Sequence, residues 1–258
     1  MSRVTVSIPR DSAARALGAD DTAAALVVEA ARRGLAIDLL RTSSRGLFWL
    51  EPLLEVHTPA GRLAYGPVQA ADVPALLDAG ALQGAPHALG HGRTDLIPYL
   101  ARQRREVFAR AGLSDPLSLA DHEAQGGWAG LRAALAMDGA AVVEQVLASG
   151  LRGRGGAAFP AGIKWRTVRG ATGARKHVVC NADEGDSGTF SDRMLMEGDP
   201  FTLLEGMAIA GLAVGAAEGW IYVRSEYPDA IAVLQEAIAR ATAAGWLGDS
   251  VAGSGRAF

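Results

Sequence analysis

Val4, Val6 and Ile8 alternate with polar residues and stop at Pro9, a pattern that predicts a strand with one buried face. Asp20 or Asp21 stands where a helix cap is needed, ahead of an apolar stripe through Leu26 and Val27 that Gly34 should end. Leu35 to Leu40 predicts a second strand. Leu53–Val56 and Arg62–Tyr65 predict a hairpin turning through Thr58-Pro59-Ala60-Gly61, and Asp72–Gly80 a short closing helix. Strand, helix, strand, hairpin and helix in that order suit a small α/β domain over residues 1–80.

Gly80 to Arg93 is rich in Gly, Pro, Ala and His and reads as a linker. His87 and His91 have the spacing of a helical metal pair, but Pro86, Gly90 and Gly92 remove the helix that such a pair requires. Tyr99 to Gly112, with Arg102, Arg104, Arg105 and Arg110, predicts a basic helix with a solvated face, so residues 81–114 are expected to be linker and helix. A second domain is expected over residues 115–258. Asp138 caps a helix through Val142, Val143 and Leu147 that stops at Gly150, and a long Gly-rich loop leads to a strand at His177–Cys180. Pro200 and Pro228 open two more helices around a strand at Trp220–Val223. Alternating strands and helices predict a parallel sheet.

Composition narrows the function classes. A net charge of −3 without a basic field argues against nucleic-acid binding. The longest apolar stretch, Met207–Ala217, is too short for a bilayer and is broken by Gly211 and Gly215, and the first residues lack the apolar core of a signal peptide. No membrane association and a cytoplasmic location are therefore expected. The single cysteine, Cys180, cannot form an internal disulfide or a cysteine-ligated cluster by itself.

Two segments carry candidate chemistry. The first runs from Gly150 to Trp165. Gly153, Gly155 and Gly156 permit positive φ and leave backbone N–H groups open to an anion, while Arg152, Arg154 and Lys164 add positive charge. Phe159 and Trp165 offer flat surfaces of the kind that stack on flavin or nucleotide rings. The spacing is that of neither a P-loop nor a dinucleotide fingerprint, and a plain tight connection is the alternative. The second segment, Val179 to Thr189, places Asn181, Asp183, Glu184 and Asp186 just past a buried strand, where α/β sheets bind ligands. Its carboxylates suit ribityl or ribose hydroxyls. A hard-cation site and a solvated acidic turn are the alternatives.

The runs SGLRGRGGAAFPAGIKW (149–165), CNADEGDSGTFSDRMLMEGDP (180–200) and YVRSEYP (222–228), with GGWAGL at 126–131, resemble the family of NADH-oxidising flavoprotein subunits. That family includes the 51-kDa-type subunit of complex I, hydrogenase diaphorases and formate dehydrogenase beta subunits. The resemblance implies FMN and NAD as cofactors. Gly153, Arg154, Gly155 and Lys164 match FMN-holding positions, and Gly155, Gly156, Ala157, Phe159 and Lys164 match positions that receive NADH. Asn181, Asp183 and Glu184 match flavin positions, with Asp186 near the nicotinamide pocket. Ala158 replaces a glycine usual in the family, and Thr167 replaces a frequent aromatic. The chain ends before the family's second flavin segment and its four-cysteine cluster motif, so a fragment is expected, with the iron–sulfur cluster confined to the missing part.

Residues 3–80 resemble the thioredoxin-like ferredoxin domain of formate dehydrogenase beta subunits, notably at 9–20 (PRDSAARALGAD) and 43–56 (SSRGLFWLEPLLEV). The implied fold is α/β, an N-terminal thioredoxin-like domain followed by a partial Rossmann-like FMN/NADH-binding domain. The implied role is the NADH:FMN electron-transfer module of an NAD-dependent formate dehydrogenase, with a molybdenum-containing catalytic subunit and a small two-iron thioredoxin-like subunit as partners; a hydrogenase or complex I-type assembly, or a truncated non-catalytic scaffold, is the alternative. At the positions where relatives carry cluster cysteines, Ser44 and Phe48 stand instead. Purified anaerobically and alone, the chain should therefore contain negligible iron. About two or more irons per chain with charge-transfer absorption would contradict this.

Overall fold

The computed structural model describes residues 3–154, 156–173, 175–186 and 188–258. The chain divides into two compact units, residues 1–116 with 197–199, and residues 117–196 with 200–258.

In the first unit, β1 (Val4–Pro9) is followed by α1 (Ser12–Ala16), α2 (Ala19–Arg32) and β2 (Ile37–Thr42). The hairpin β3 (Leu54–Thr58) and β4 (Gly61–Tyr65) leads to α3 (Val73–Asp78), β5 (Gly90–Arg93) and α4 (Pro98–Ala101). The sheet order is β2-β1-β3-β4-β5, with β1 and β2 parallel and the remaining pairs antiparallel. Val6, Ile8, Leu54 and Val56 point to one face, where they form a core with Leu26 of α2 and Leu76 of α3. The opposite face carries Ser7, Glu55 and His57, as the two-residue strand period requires. There the Ser7 hydroxyl lies 2.6 Å from His57 Nε2, and the buried Glu55 pairs with Arg45 at 3.0 Å and Arg62 at 3.6 Å.

Several expected elements change. The N-cap of α2 is Gly18, not Asp20 or Asp21; those aspartates lie in the first turn, where the helix dipole favours them. The stretch read as a linker contributes the edge strand β5, and His91 Nε2 meets the Gly66 carbonyl at 2.7 Å. The basic helix over Tyr99–Gly112 is reduced to α4. At the far end of that stretch Arg62 donates to the Gly112 and Leu113 carbonyls at 2.6 Å each, so those two carbonyls serve tertiary contacts instead of a helical ladder.

The second unit begins with α5 (Leu119–Ala124), α6 (Ala129–Leu135) and α7 (Gly139–Ala148), whose Asp138 cap accepts from Ala141 N at 2.8 Å as its sequence predicts. Then come α8 (Ala161–Gly170), β6 (His177–Ala182), α9 (Ser191–Gly198), α10 (Pro200–Val214), β7 (Glu218–Val223) and α11 (Pro228–Ala243). β6 and β7 pair in parallel, with Val179 opposite Trp220 and Asn181 opposite Tyr222. α8 occupies part of the expected Gly-rich loop, and α9 is a further helix beyond those the sequence pattern predicts. α10 is apolar around its circumference and packs against α6, α7, α8, α11 and both strands, the behaviour of a core helix. No helix among the described residues is long and apolar enough to cross a membrane.

Two interactions generate tests. In the first unit, Ser44 Oγ donates to Glu51 at 2.6 Å and Leu53 N donates to the other carboxylate oxygen at 2.9 Å, while Asp11 accepts from Ser44 N. Burial, with Asp11 and Glu55 nearby, pushes Glu51 from about 4.5 up to about 7. Between those values the folded chain keeps a proton that the unfolded chain has lost, so stability falls as pH rises through that window, by roughly 3 kcal/mol at most. In Glu51→Gln the amide mimics the protonated carboxyl. Urea unfolding at about pH 5 and about pH 8 should show wild type weaker at the higher pH, with the difference at least halved in the variant. In the second unit, a Cβ at Gly162 would lie 2.6 Å from Leu147 Cα, since α7 and α8 meet backbone to backbone there. Gly162→Ala should therefore lower stability in the same assay by about 1–3 kcal/mol.

Candidate functional site

The first loop is closed on itself. Arg152 and Pro160 form an isolated bridge, Gly153 N donates to the Phe159 carbonyl at 2.8 Å, and Ala161 N donates to Leu151 O at 2.8 Å. Arg152 Nε donates to the Ala158 carbonyl at 2.6 Å, so this guanidinium braces the loop. The tip is exposed and includes Arg154, Gly156 and Ala157; Gly155 lies outside the described residues. Gly156 has φ of 101° and open space at its missing Cβ. Gly153 lies outside the left-handed region, and its N–H serves the loop. Ala158 has φ of 49°, a conformation that glycine adopts more readily than a residue with a Cβ.

Phe159 is half exposed, and Lys164 on the first turn of α8 places Nζ 5.8 Å from its ring centre. Neither Lys164 nor Arg154 has a carboxylate partner among the described residues. Trp165, expected to offer a stacking surface, instead packs against the core of the unit. Thr167 Oγ1 donates to the Ile163 carbonyl within α8.

The second loop leaves the C-terminal end of β6. Asn181 is exposed, and its Oδ1 accepts from Asp183 N at 3.2 Å, an Asx turn that directs the chain away from the strand. Asp183 is half-buried, and Asp186 is exposed. Glu184 turns inward. Its carboxylate accepts from Asp192 N at 2.8 Å and Arg193 N at 3.0 Å, capping α9, and from Tyr227 OH at 3.2 Å. Burial and the Glu184 charge hold the Asp192 carboxyl above the usual range. Cys180 is half-buried, and burial followed by the Asp192 charge pushes its thiol up, so it remains a neutral side chain beside Ile221 and Val223.

The structure joins this loop to the turn after β7, because parallel strands release their C-terminal ends on the same side. Arg224 Nη1 donates to the Glu184 carbonyl at 3.0 Å. Arg224, Tyr227, Arg193 and Phe190 have no role assigned from sequence; the one signal is an Arg directly after a strand. Gly153, Arg154, Gly156, Ala157, Phe159 and Lys164 group on the first loop and α8, while Asn181, Asp183, Glu184 and Asp186 group on the second. No hydrogen bond or ion pair joins the two groups among the described residues. No cluster of three or more metal-ligating side chains occurs among them either.

Residues 146–254 match the Nuo51 FMN-binding domain, a span that contains both loops and the turn after β7. The NADP-reducing hydrogenase subunit HndC of Solidesulfovibrio fructosivorans is 48% identical over 157 residues, 61% of this chain and 32% of that protein. The F 2 subunit of NADH-quinone oxidoreductase of Rhizobium meliloti (strain 1021) is 48% identical over 141 residues, 54% of this chain and 34% of that protein. The chain thus spans about a third of the length of these curated relatives. A crystal structure of an air-oxidized NAD+-reducing [NiFe]-hydrogenase covers 94% of this chain and 41% of its own at 24% identity, with a TM-score of 0.43, too loose a likeness to bear on the site.

Proposed function

We propose that this chain is the FMN- and NADH-binding part of a multisubunit oxidoreductase, relaying electrons between a nicotinamide dinucleotide and carriers in partner subunits. The observation that carries this reading is the match of residues 146–254 to an FMN-binding domain, a span that includes every candidate site residue.

The residues present fit an anionic flavin nucleotide. Arg154 and Lys164 are exposed cations without carboxylate partners among the described residues, suited to phosphate charge. Gly153, Gly155, Gly156 and Ala157 leave little side chain between backbone and ligand, and Phe159 offers an exposed ring. Asn181 and Asp183 would accept from ribityl or ribose hydroxyls at the C-terminal end of β6, with Asp186 toward the nicotinamide. FMN, when bound, supplies the hydride and single-electron chemistry; the chain binds and orients. In this reading the two loops converge on one ligand, the cationic one on its phosphate and the acidic one on its hydroxyls.

The named relatives support a hydrogenase or NADH-quinone oxidoreductase assembly over a formate dehydrogenase. Formate oxidation, with a molybdenum-containing subunit and a small two-iron subunit, is the second reading, supported by the resemblance of residues 9–20 and 43–56. A strand-helix-strand unit followed by a hairpin and a helix on one sheet supports the thioredoxin-like reading of that region. The metal found in the co-purified complex, nickel, molybdenum or neither, separates the partners.

The site itself is tested by FMN titration followed by fluorescence quenching. Wild type should bind. Lys164→Gln should weaken binding about tenfold, the worth of one charge-assisted contact, and the loss should shrink at high salt. Cys180→Ala should bind like wild type. Unchanged affinity in Lys164→Gln removes α8 from the site, and no quenching with wild type overturns the FMN reading.

A further inference from the structure

The acidic loop is bracketed by two non-glycine residues in the left-handed region, Glu184 with φ of 45° and Phe190 with φ of 57°. Side chains with a Cβ adopt that conformation only where the surroundings hold them in it. Glu184 is held at three points. One carboxylate oxygen accepts from Asp192 N at 2.8 Å and Ser191 Oγ at 3.3 Å, and the other from Arg193 N at 3.0 Å and Tyr227 OH at 3.2 Å. Its main-chain carbonyl accepts from Arg224 at 3.0 Å. Phe190 is held through its ring, which lies 4.6 Å from the Arg193 guanidinium; that guanidinium is also 5.6 Å from the Tyr227 ring. Arg224 stacks on the same tyrosine at 5.3 Å.

A carboxylate offers about four lone-pair sites, and those of Glu184 are already engaged within the protein. Its hydroxyl-accepting neighbours Asn181 and Asp183, and the exposed Asp186, are not committed in this way. We infer that Glu184 is an internal brace and not a ligand contact, and that Arg224 and Tyr227 are positioning residues that fix Glu184 and the start of α9 for the flavin nucleotide. The inference rests on the FMN reading above. It gives the turn after β7 a defined role, in which one arm fixes the loop's backbone through a carbonyl and the other fixes the brace through a phenol. The coupling runs between adjacent parallel strand ends and is made within the chain without any ligand.

Tyr227→Phe removes only the hydroxyl and keeps the ring under Arg193. Arg224→Gln removes the guanidinium, and Arg224→Lys restores one donor. Three measurements on the whole chain test the idea: far-UV circular dichroism for folding, amide hydrogen exchange over residues 184–193 without ligand, and FMN affinity by fluorescence quenching. Tyr227→Phe and Arg224→Gln should keep the wild-type spectrum, exchange faster at Asp192 and Arg193, and bind FMN about fivefold or more weakly. Arg224→Lys should recover part of both. Folded variants with wild-type exchange and wild-type affinity overturn the positioning role. If wild type takes up no FMN, the FMN reading fails by itself, and the exchange measurement alone then decides whether the brace exists.

Discussion

A carboxylate inside an apolar core organises the second unit. Glu205 lies in α10, the helix that packs against α6, α7, α8, α11 and both strands of the unit. It accepts from Trp128 N at 2.9 Å and Leu131 N at 3.0 Å, filling the donor positions that the start of α6 leaves open, and His122 lies 3.6 Å away. Burial opposes its charge, but the His122 imidazole and the two amides outweigh burial and hold its pKa below the ordinary value. Trp128 takes a left-handed φ of 62° so that its ring stacks on Trp246 at 4.7 Å. Removing the carboxylate would leave buried N–H groups unpaired, a larger penalty than the loss of one average hydrogen bond.

That core sets the site at a distance. Because α10 is packed on all sides, α8 and the β6–β7 pair are both referenced to one rigid body, and the loops that leave them inherit its position. The same division of roles recurs within the loops. Arg152 and Glu184 have the right chemistry for a ligand, yet each is consumed by the loop that carries it. Arg154 and Lys164 have no carboxylate partner among the described residues, while those neighbours hold the backbone. Charge alone did not separate the two groups; hydrogen-bond partners did.

The first unit has its own buried polar network. Ser44 sits in it between Asp11 and Glu51. Hydrogen bonds there tie the turn after β2 to the turn after β1 and to the residues leading into β3. Such a network is held by donors from Ser44 and Leu53, and burial raises Glu51 to about 7, so the stability it contributes depends on pH.

Local patterns in the sequence determined the elements whose signals are local. Alternation gave β1 and the β3–β4 hairpin, Asp138 capped α7, Pro200 and Pro228 opened α10 and α11, and apolar runs separated by a helix implied that β6 and β7 are parallel. The Gly-Arg and Asn-Ala-Asp-Glu segments also stood out as candidate chemistry, because glycines beside cations and carboxylates past a strand end are the residue types that ligand loops use. Tertiary structure alone decided the remainder. β5 exists because β4 offers it an edge, the Gly112 and Leu113 carbonyls are taken by Arg62 and Arg45, and α9 starts where it does because Glu184, seven residues before its first residue, supplies its cap. Each of these depends on a hydrogen-bond partner supplied by another part of the fold, and no local period or propensity records where such a partner will be.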